Sequence, residues 1–285
     1  MESPEALNAI HPDLDAQRLS LSLVLRDGTR RDAVVAANPA DPHAANPNPS
    51  LLLSPVAVAQ IDPHGIHALD ADVPLPPSLR GHAASIHHEV FDGDVLYVHL
   101  WKMADDGTGA LSAQLADLLS ARALPWRAAI VDLRFNGGGD YTKVHAFARD
   151  LPARIASDGV LAVLVNNETF SAALVTAAWL KHYGGQRAVM MGEALGDEPA
   201  FWAEGGTLTL PNSKLAISFA TGYHDWENGC RDLLRCFSLN LWFGVAAGKL
   251  DPPEETAWRF SDYLLGRDAV LDAARLRVDE PIPRF

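Results

Sequence analysis

Apolar residues run almost unbroken through Val95–Leu100, Ala128–Phe135, Val160–Val165 and Ala188–Gly192. Between these runs, Ala110–Ala123, the stretch around Tyr141–Ala156, and Ser171–Tyr183 carry apolar positions at helical spacing. A strand buried on both faces reads as a continuous apolar run, and its alternation with helices predicts a sheet covered on both sides. The expected class is therefore α/β. Outside this region, Leu19–Val35 alternates apolar and polar residues around Asp27-Gly28, which predicts a β-hairpin. Thr207–Ala220 predicts a second hairpin turning at Pro211-Asn212-Ser213, and Asp262–Arg277 predicts a closing helix. Pro and Asn crowd Ala37–Ser50, the signature of a loop or linker. Ser50–Gln60 is apolar but too short to span a bilayer, so it reads as a short strand or packed connection. Two regions result: residues 1–88, an N-terminal extension with a hairpin and linker, and residues 89–285, the α/β core.

Composition narrows the partners. The 285-residue chain carries 23 Lys+Arg against 36 Asp+Glu, a formal net charge of -13, which repels phosphate backbones and anionic lipid surfaces. Neither a nucleic acid nor a membrane is an expected partner. Cys230 and Cys236 lie without further Cys or paired His at zinc spacing, so no metal site is expected; the pair reads as ordinary reduced thiols, with a disulfide between them as the alternative. The first residues have no basic segment followed by an apolar stretch, and the expected location is cytoplasmic.

Two strand ends carry the candidate chemistry. Ala128–Phe135 runs into Asn136-Gly137-Gly138-Gly139 and then a helix. Glycines there permit close backbone approach, and their N–H groups can form a nest for an anion or oxyanion; a tight structural turn is the plain alternative. The spacing is not a dinucleotide fingerprint and lacks a Walker lysine. Val160–Val165 runs into Asn166-Asn167-Glu168-Thr169-Phe170-Ser171, where a helix begins. Ser171 is either the helix N-cap or a nucleophile aimed by the strand-to-helix turn, with the Ala172 N–H directed at a developing negative charge. Ligands of parallel sheets bind beyond the carboxyl ends of the strands, so the two features are expected to converge. The seven tryptophans read as packing residues, and so does Phe201 beside Trp202, with the lining of a substrate groove as the alternative for these two.

Four strings in order, Ile130–Gly139, Leu164–Ala173, Met190–Pro199 and Leu208–Ile217, resemble the S41 family of C-terminal processing (tail-specific) and tricorn-like serine peptidases. The resemblance spans roughly Val95 to Arg277 and implies a ClpP/crotonase-like core of β-β-α repeats. It implies Ser171 as nucleophile, and Gly138 or Gly139 with the Ala172 amide as oxyanion hole. It also implies a peptide or protein substrate, with no metal or organic cofactor. One branch of the family takes its base from a lysine after the Gly-Glu turn, but Gly192–Phe201 contains none. The tricorn-like branch uses a distal histidine supported by a glutamate, and His224–Gly229 resembles that segment, which makes Glu227 the supporting carboxylate. The histidine is not placed by its usual Gly-His-Thr string; His87, His88 and His224 are the candidates among 11. Two rivals follow: a peptide-binding relative without a base, and an acyl-CoA hydratase or isomerase of the crotonase type, which needs no serine at the second strand end. The apolar run Phe237–Gly248 has no counterpart in the family pattern and is compatible with a homo-oligomer.

Overall fold

The computed structural model describes residues 18–25, 27–36, 53, 69, 72–212, 214–232 and 234–280. The chain divides into two compact units, Met1–Asn48 and Pro49–Phe285. The predicted segment Ser50–Gln60 and linker Ala37–Ser50 lie outside the described residues, Leu53 excepted.

In the first unit, β1 (Arg18–Val24) and β2 (Arg30–Ala36) form the predicted antiparallel hairpin, with Val24 opposite Arg30. The turn is built as the sequence suggests. Gly28 takes φ 82°, and the Asp27 carboxylate accepts the Thr29 N–H at 2.9 Å.

The second unit is a five-stranded sheet in the order β3 (Ile86–Phe91), β4 (Val95–Leu100), β5 (Ala128–Asp132), β6 (Leu161–Val165), β7 (Ala188–Gly192). β3 pairs antiparallel to β4; the other neighbours are parallel. Every residue of β4, β5 and β6 is buried, which is why their sequences are apolar at consecutive positions. Alternate residues feed opposite faces. Leu96, Val98, Ala129, Val131, Leu161 and Val163 join one core with α1 (Leu111–Ser120) and α3 (Ala172–Gly184). Val95, Tyr97, Ala128, Ile130, Ala162 and Leu164 join another with α6 (Ala269–Asp279). The mixed α/β expectation holds.

Three predicted elements differ in extent. The Tyr141–Ala156 helix is broken into a 3-10 turn at Tyr141–Lys143, α2 (His145–Asp150) and a 3-10 turn at Leu151–Arg154. Pro152 removes an N–H and crowds the preceding turn, so a continuous α-helix cannot pass through it. The Asp262–Arg277 helix splits into α5 (Phe260–Tyr263) and α6. Between them Gly266 takes φ 64° and lies so close to Pro74 that a Cβ would meet its carbonyl oxygen at 2.4 Å. The second hairpin is longer than predicted, with β8 (Ala200–Thr209) and β9 (Ala216–Asp225) paired from Thr209↔Ala216 to Ala200↔Asp225. Gly205 and Gly206, weak strand formers, hide the first half of β8 from pattern reading.

The expectation of reduced thiols is corrected. The chain after β9 turns so that Cys230 and Cys236 come to a Cα separation of 5.9 Å and form a disulfide. The bridge closes a short loop ahead of α4 (Asn240–Phe243). Chain entropy for a loop of this size predicts that reduction costs about 2 kcal/mol, read as a lowered urea midpoint in reductant. Within the apolar run that follows, Phe237, Leu239, Phe243, Val245 and Ala247 pack against the core, whereas Leu241 and Trp242 are exposed. Among the described residues, no helix is long and apolar enough to cross a membrane.

Candidate active site

Because β5 and β6 are parallel neighbours, their C-terminal ends open on the same edge of the sheet. Three buried polar side chains tie those ends together. Asn136 donates from Nδ2 to the Leu100 carbonyl at 2.6 Å and accepts the Gly138 N–H at Oδ1 at 2.9 Å. Its own carbonyl accepts the Phe170 N–H at 3.1 Å. Asn166 Oδ1 accepts the Phe135 and Glu168 N–H groups at 3.1 and 3.2 Å. Thr169 Oγ1 donates to the Leu133 carbonyl and accepts the Asn166 N–H, each at 3.0 Å. The sequence reading singled out none of these three as functional. The available signal was two consecutive buried strands that both end in asparagine.

This frame delivers Ser171 to the start of α3 in an unusual conformation, φ 52° and ψ −121°. For a residue with a side chain, that backbone costs on the order of 1–3 kcal/mol and persists only where the surroundings impose it. Ser171 sits at the N-cap position but its side chain makes no cap hydrogen bond. Among the described residues its hydroxyl has no partner at all, so the capping alternative is not the role it takes. The Ala172 N–H likewise has no acceptor among the described residues and stands at the positive end of a 13-residue helix. Gly138, at φ 110°, lies directly over this pair. A Cβ there would sit 2.7 Å from Ser171 Cβ, 3.1 Å from its Oγ and 3.0 Å from the Ala172 nitrogen. Ser171, Ala172 and Gly138 are thus brought together, with Gly139 the next residue.

The remaining predicted groups have their own contacts. His87 lies 2.9 Å from the Glu89 carboxylate, and His88 is exposed on β3. His224 is 1% exposed, stacked on Phe201 at 4.8 Å, with Nδ1 accepting from Asn240 at 3.1 Å. Asn240 in turn accepts from the Tyr141 hydroxyl at 3.4 Å. Glu227 is half-buried in the turn after β9, where its carbonyl accepts the Gly248 N–H. No hydrogen bond joins its carboxylate to a histidine among the described residues. Where the lysine-based branch would carry its base, Ala194–Glu198 and Asp251 line a cavity of about 300 Å³. Gly196 N–H there bonds to the Thr169 carbonyl.

Two further histidines were passed over in the sequence. His99 is fully buried against Trp101, donating from Nε2 to the Arg134 carbonyl at 3.1 Å. His82 has a buried Nε2 without a partner among the described residues and meets Trp101 edge-on at 6.5 Å. Trp101 is two residues from Met103, which bonds to the glycine run, so His82 lies toward the same end of the sheet. Its signal was the dipeptide Gly81-His82, which shares two of the three letters of Gly-His-Thr.

Burial pushes His224 down to about 4 and also lowers His82 and His99. A histidine whose folded pKa is depressed costs stability as pH falls below its unfolded value of about 6.5, because the unfolded chain takes the proton first. Glu204, 3.6 Å from His224 Nε2, and Tyr141 are the titratable groups facing the ring. His224→Gln is therefore expected to keep more of its neutral-pH stability at pH 4.5 than the wild type does, measured by urea unfolding.

No protein-family model matches the chain, and no curated protein matches it. Solved structures do, and their S41 peptidases share its fold. Mature CPAF complexed with lactacystin superposes with a TM-score of 0.50 at 12% identity, covering 93% of this chain and 68% of that one. The photosystem II D1 C-terminal processing protease gives 0.38 at 19% identity, covering 71% and 51%. A lipoprotein from Streptococcus agalactiae gives 0.42 at 14% identity, covering 69% and 70%. The likeness to CPAF shows the fold alone: a mixed α/β core with a mostly parallel five-stranded sheet, consistent with an S41 or ClpP/crotonase-like core.

Proposed function

We propose that this protein is a serine-type peptidase that cleaves peptide bonds of peptide or protein substrates through an acyl-enzyme on Ser171. The observation that supports this most is the strained, uncapped Ser171, with the Ala172 N–H, unpaired among the described residues, beside it and a glycine Cα over its oxygen. In this reading Oγ attacks the substrate carbonyl carbon, and the carbonyl oxygen takes up negative charge in front of the Ala172 N–H and a glycine N–H. The Oγ proton passes to a base and from it to the departing amine as the tetrahedral species collapses, leaving an ester on Ser171 that water then hydrolyses. Glu227, whose carboxylate has no hydrogen-bond partner among the described residues, is kept as the group that orients the base imidazole.

One observation favours a second reading, a peptide-binding relative without catalysis. Among the described residues no imidazole is hydrogen-bonded to the Ser171 hydroxyl. A fluorophosphonate probe separates the two. The expected result is a covalent adduct mapped to Ser171 by peptide mass spectrometry, with His→Gln replacements, beginning at His82, then assigning the proton acceptor. Lactacystin, held in the CPAF structure, serves as a second probe. A folded protein that neither reagent modifies would sink the peptidase reading and leave peptide binding as the activity to measure.

A further inference from the structure

We infer that Asn136 is a positioning residue for the oxyanion hole, an inference that rests on the peptidase reading: it withdraws the Gly138 N–H and leaves that of Gly139 as partner to Ala172. Gly138 donates its N–H to Asn136 Oδ1 at 2.9 Å, so this amide is already spent. The Gly138 carbonyl accepts the Met103 N–H at 3.0 Å, and Asp140 donates to the Met103 carbonyl at 2.8 Å. No peptide bond among the described residues is cis, and in a trans peptide the N–H points opposite to the C=O. The Gly139 N–H therefore points away from Met103. Met103 follows β4, whereas Asn166–Ser171 follows β6, and these strands flank β5 on opposite sides. Away from Met103 is toward Ser171. Among the described residues the Gly139 N–H has no acceptor.

The Asn136 carboxamide is oriented by its own bonds, since Nδ2 meets a carbonyl and Oδ1 meets an N–H. The side chain is fully buried and anchored at Leu100, on the β4 side. Gly138 is thus held on its N–H by Asn136 and on its carbonyl by Met103. Both of its free dihedrals are set, and so is the direction of the next amide. A donor fixed before reaction needs no reorganisation when charge develops, which is where such holes gain their effect.

Asn136→Asp tests this. At pH 8 the carboxylate keeps an acceptor for Gly138 but loses the donor to Leu100 and sets a negative charge beside the developing one. Phosphonylation of Ser171 is expected to slow about 10²–10³-fold. The deficit relative to wild type should shrink as pH falls, because a protonated carboxyl again donates to Leu100 and accepts from Gly138. A merely structural role would appear in urea unfolding and leave labelling by the folded variant at the wild-type rate. In ¹⁵N spectra of the full chain, the adduct should shift Gly139 and Ala172 more than Gly138. Should Asn136→Asp not fold, Asn136→Ser, which cannot reach Leu100 but adds no charge, is expected to show a pH-independent loss of about tenfold. A larger shift at Gly138 than at Gly139, or wild-type labelling by a folded Asn136 variant, overturns the inference while leaving Ser171 as nucleophile. A wild-type protein that does not label removes both.

Discussion

Ser171→Gly is expected to abolish covalent labelling and hydrolysis while raising the melting temperature. The first half follows from removal of the attacking oxygen, a loss on the order of 10⁶ in turnover for a serine hydrolase. The second half is specific to this structure. Ser171 is held at φ 52° and ψ −121°, backbone that glycine adopts freely and serine does not. Relief of about 1–3 kcal/mol is opposed by roughly 0.4–1 kcal/mol of added unfolded-state entropy. The net gain is about 1 kcal/mol, or about 2–4 °C for a chain of this size. There is no cap hydrogen bond to lose in exchange. Ser171→Ala separates the contributions, since it removes the oxygen but keeps the Cβ and its strain; it should be equally dead and no more stable. If Ser171→Gly melts lower than wild type, the serine is there for the helix and not for chemistry.

The parts legible in the sequence were those written in consecutive residues. β4, β5 and β6 are buried on both faces, so their apolar runs could be nothing but interior strands or helix fragments, and the turn residues after them settled which. Ser171, Ala172 and Gly138 were legible because each stands where a buried strand stops. What escaped notice depends on meetings between distant segments. Asn136, Asn166 and Thr169 look like loop polar residues until their partners across the strand ends are known. His224 sits beside Glu227 in the chain, yet Phe201, Tyr141 and Asn240 enclose it from three other segments. The cysteines are six positions apart, a spacing equally compatible with free thiols; the turn after β9 decides it. The helix at Asp262–Arg277 failed at Gly266, where periodicity continues but Pro74 leaves no room for a side chain.

Arg134→Met is expected to lower stability by about 3–5 kcal/mol, the second large effect. Arg134 is 2% exposed and bidentate to two carboxylates, at 2.6 and 2.9 Å to Asp132 and at 2.7 and 2.9 Å to Asp268. Tyr97 and Ser78 donate to Oδ2 of Asp132 and of Asp268 respectively, the two oxygens that also accept from Arg134 Nη2. The network bolts the end of β5 to the residue that caps α6, since Asp268 also accepts the Leu271 N–H at 3.0 Å. Burial alone would lower the pKa of Arg134, but Asp132 and Asp268 hold it well above its ordinary value. Burial alone would raise that of Asp268, yet Arg134 outweighs it and the carboxyl stays below its usual range. Removing the guanidinium strands two buried carboxylates, and lysine is no substitute because one ammonium cannot make four bonds in a plane.

The sign of the pH dependence follows. In the wild type, the depressed pKa of Asp268 gives stability that is present above about 3.9 and lost as pH falls through the folded value. In Arg134→Met the buried Asp268 carboxylate, without its cation, binds a proton more readily than in the unfolded chain, so acid relieves the variant. The gap between the two proteins should therefore narrow from pH 8 to pH 5, read from urea unfolding at each pH. An equal gap at both, or one below about 1 kcal/mol, would show that the pair is not held as charges. Arg134 is two residues from Asn136 and shares its strand end, so the same variant separates stability from chemistry. Where it is still folded, Ser171 phosphonylation should fall less than in Asn136→Asp, because the bonds at Gly138 and Met103 that aim the Gly139 amide do not pass through the guanidinium.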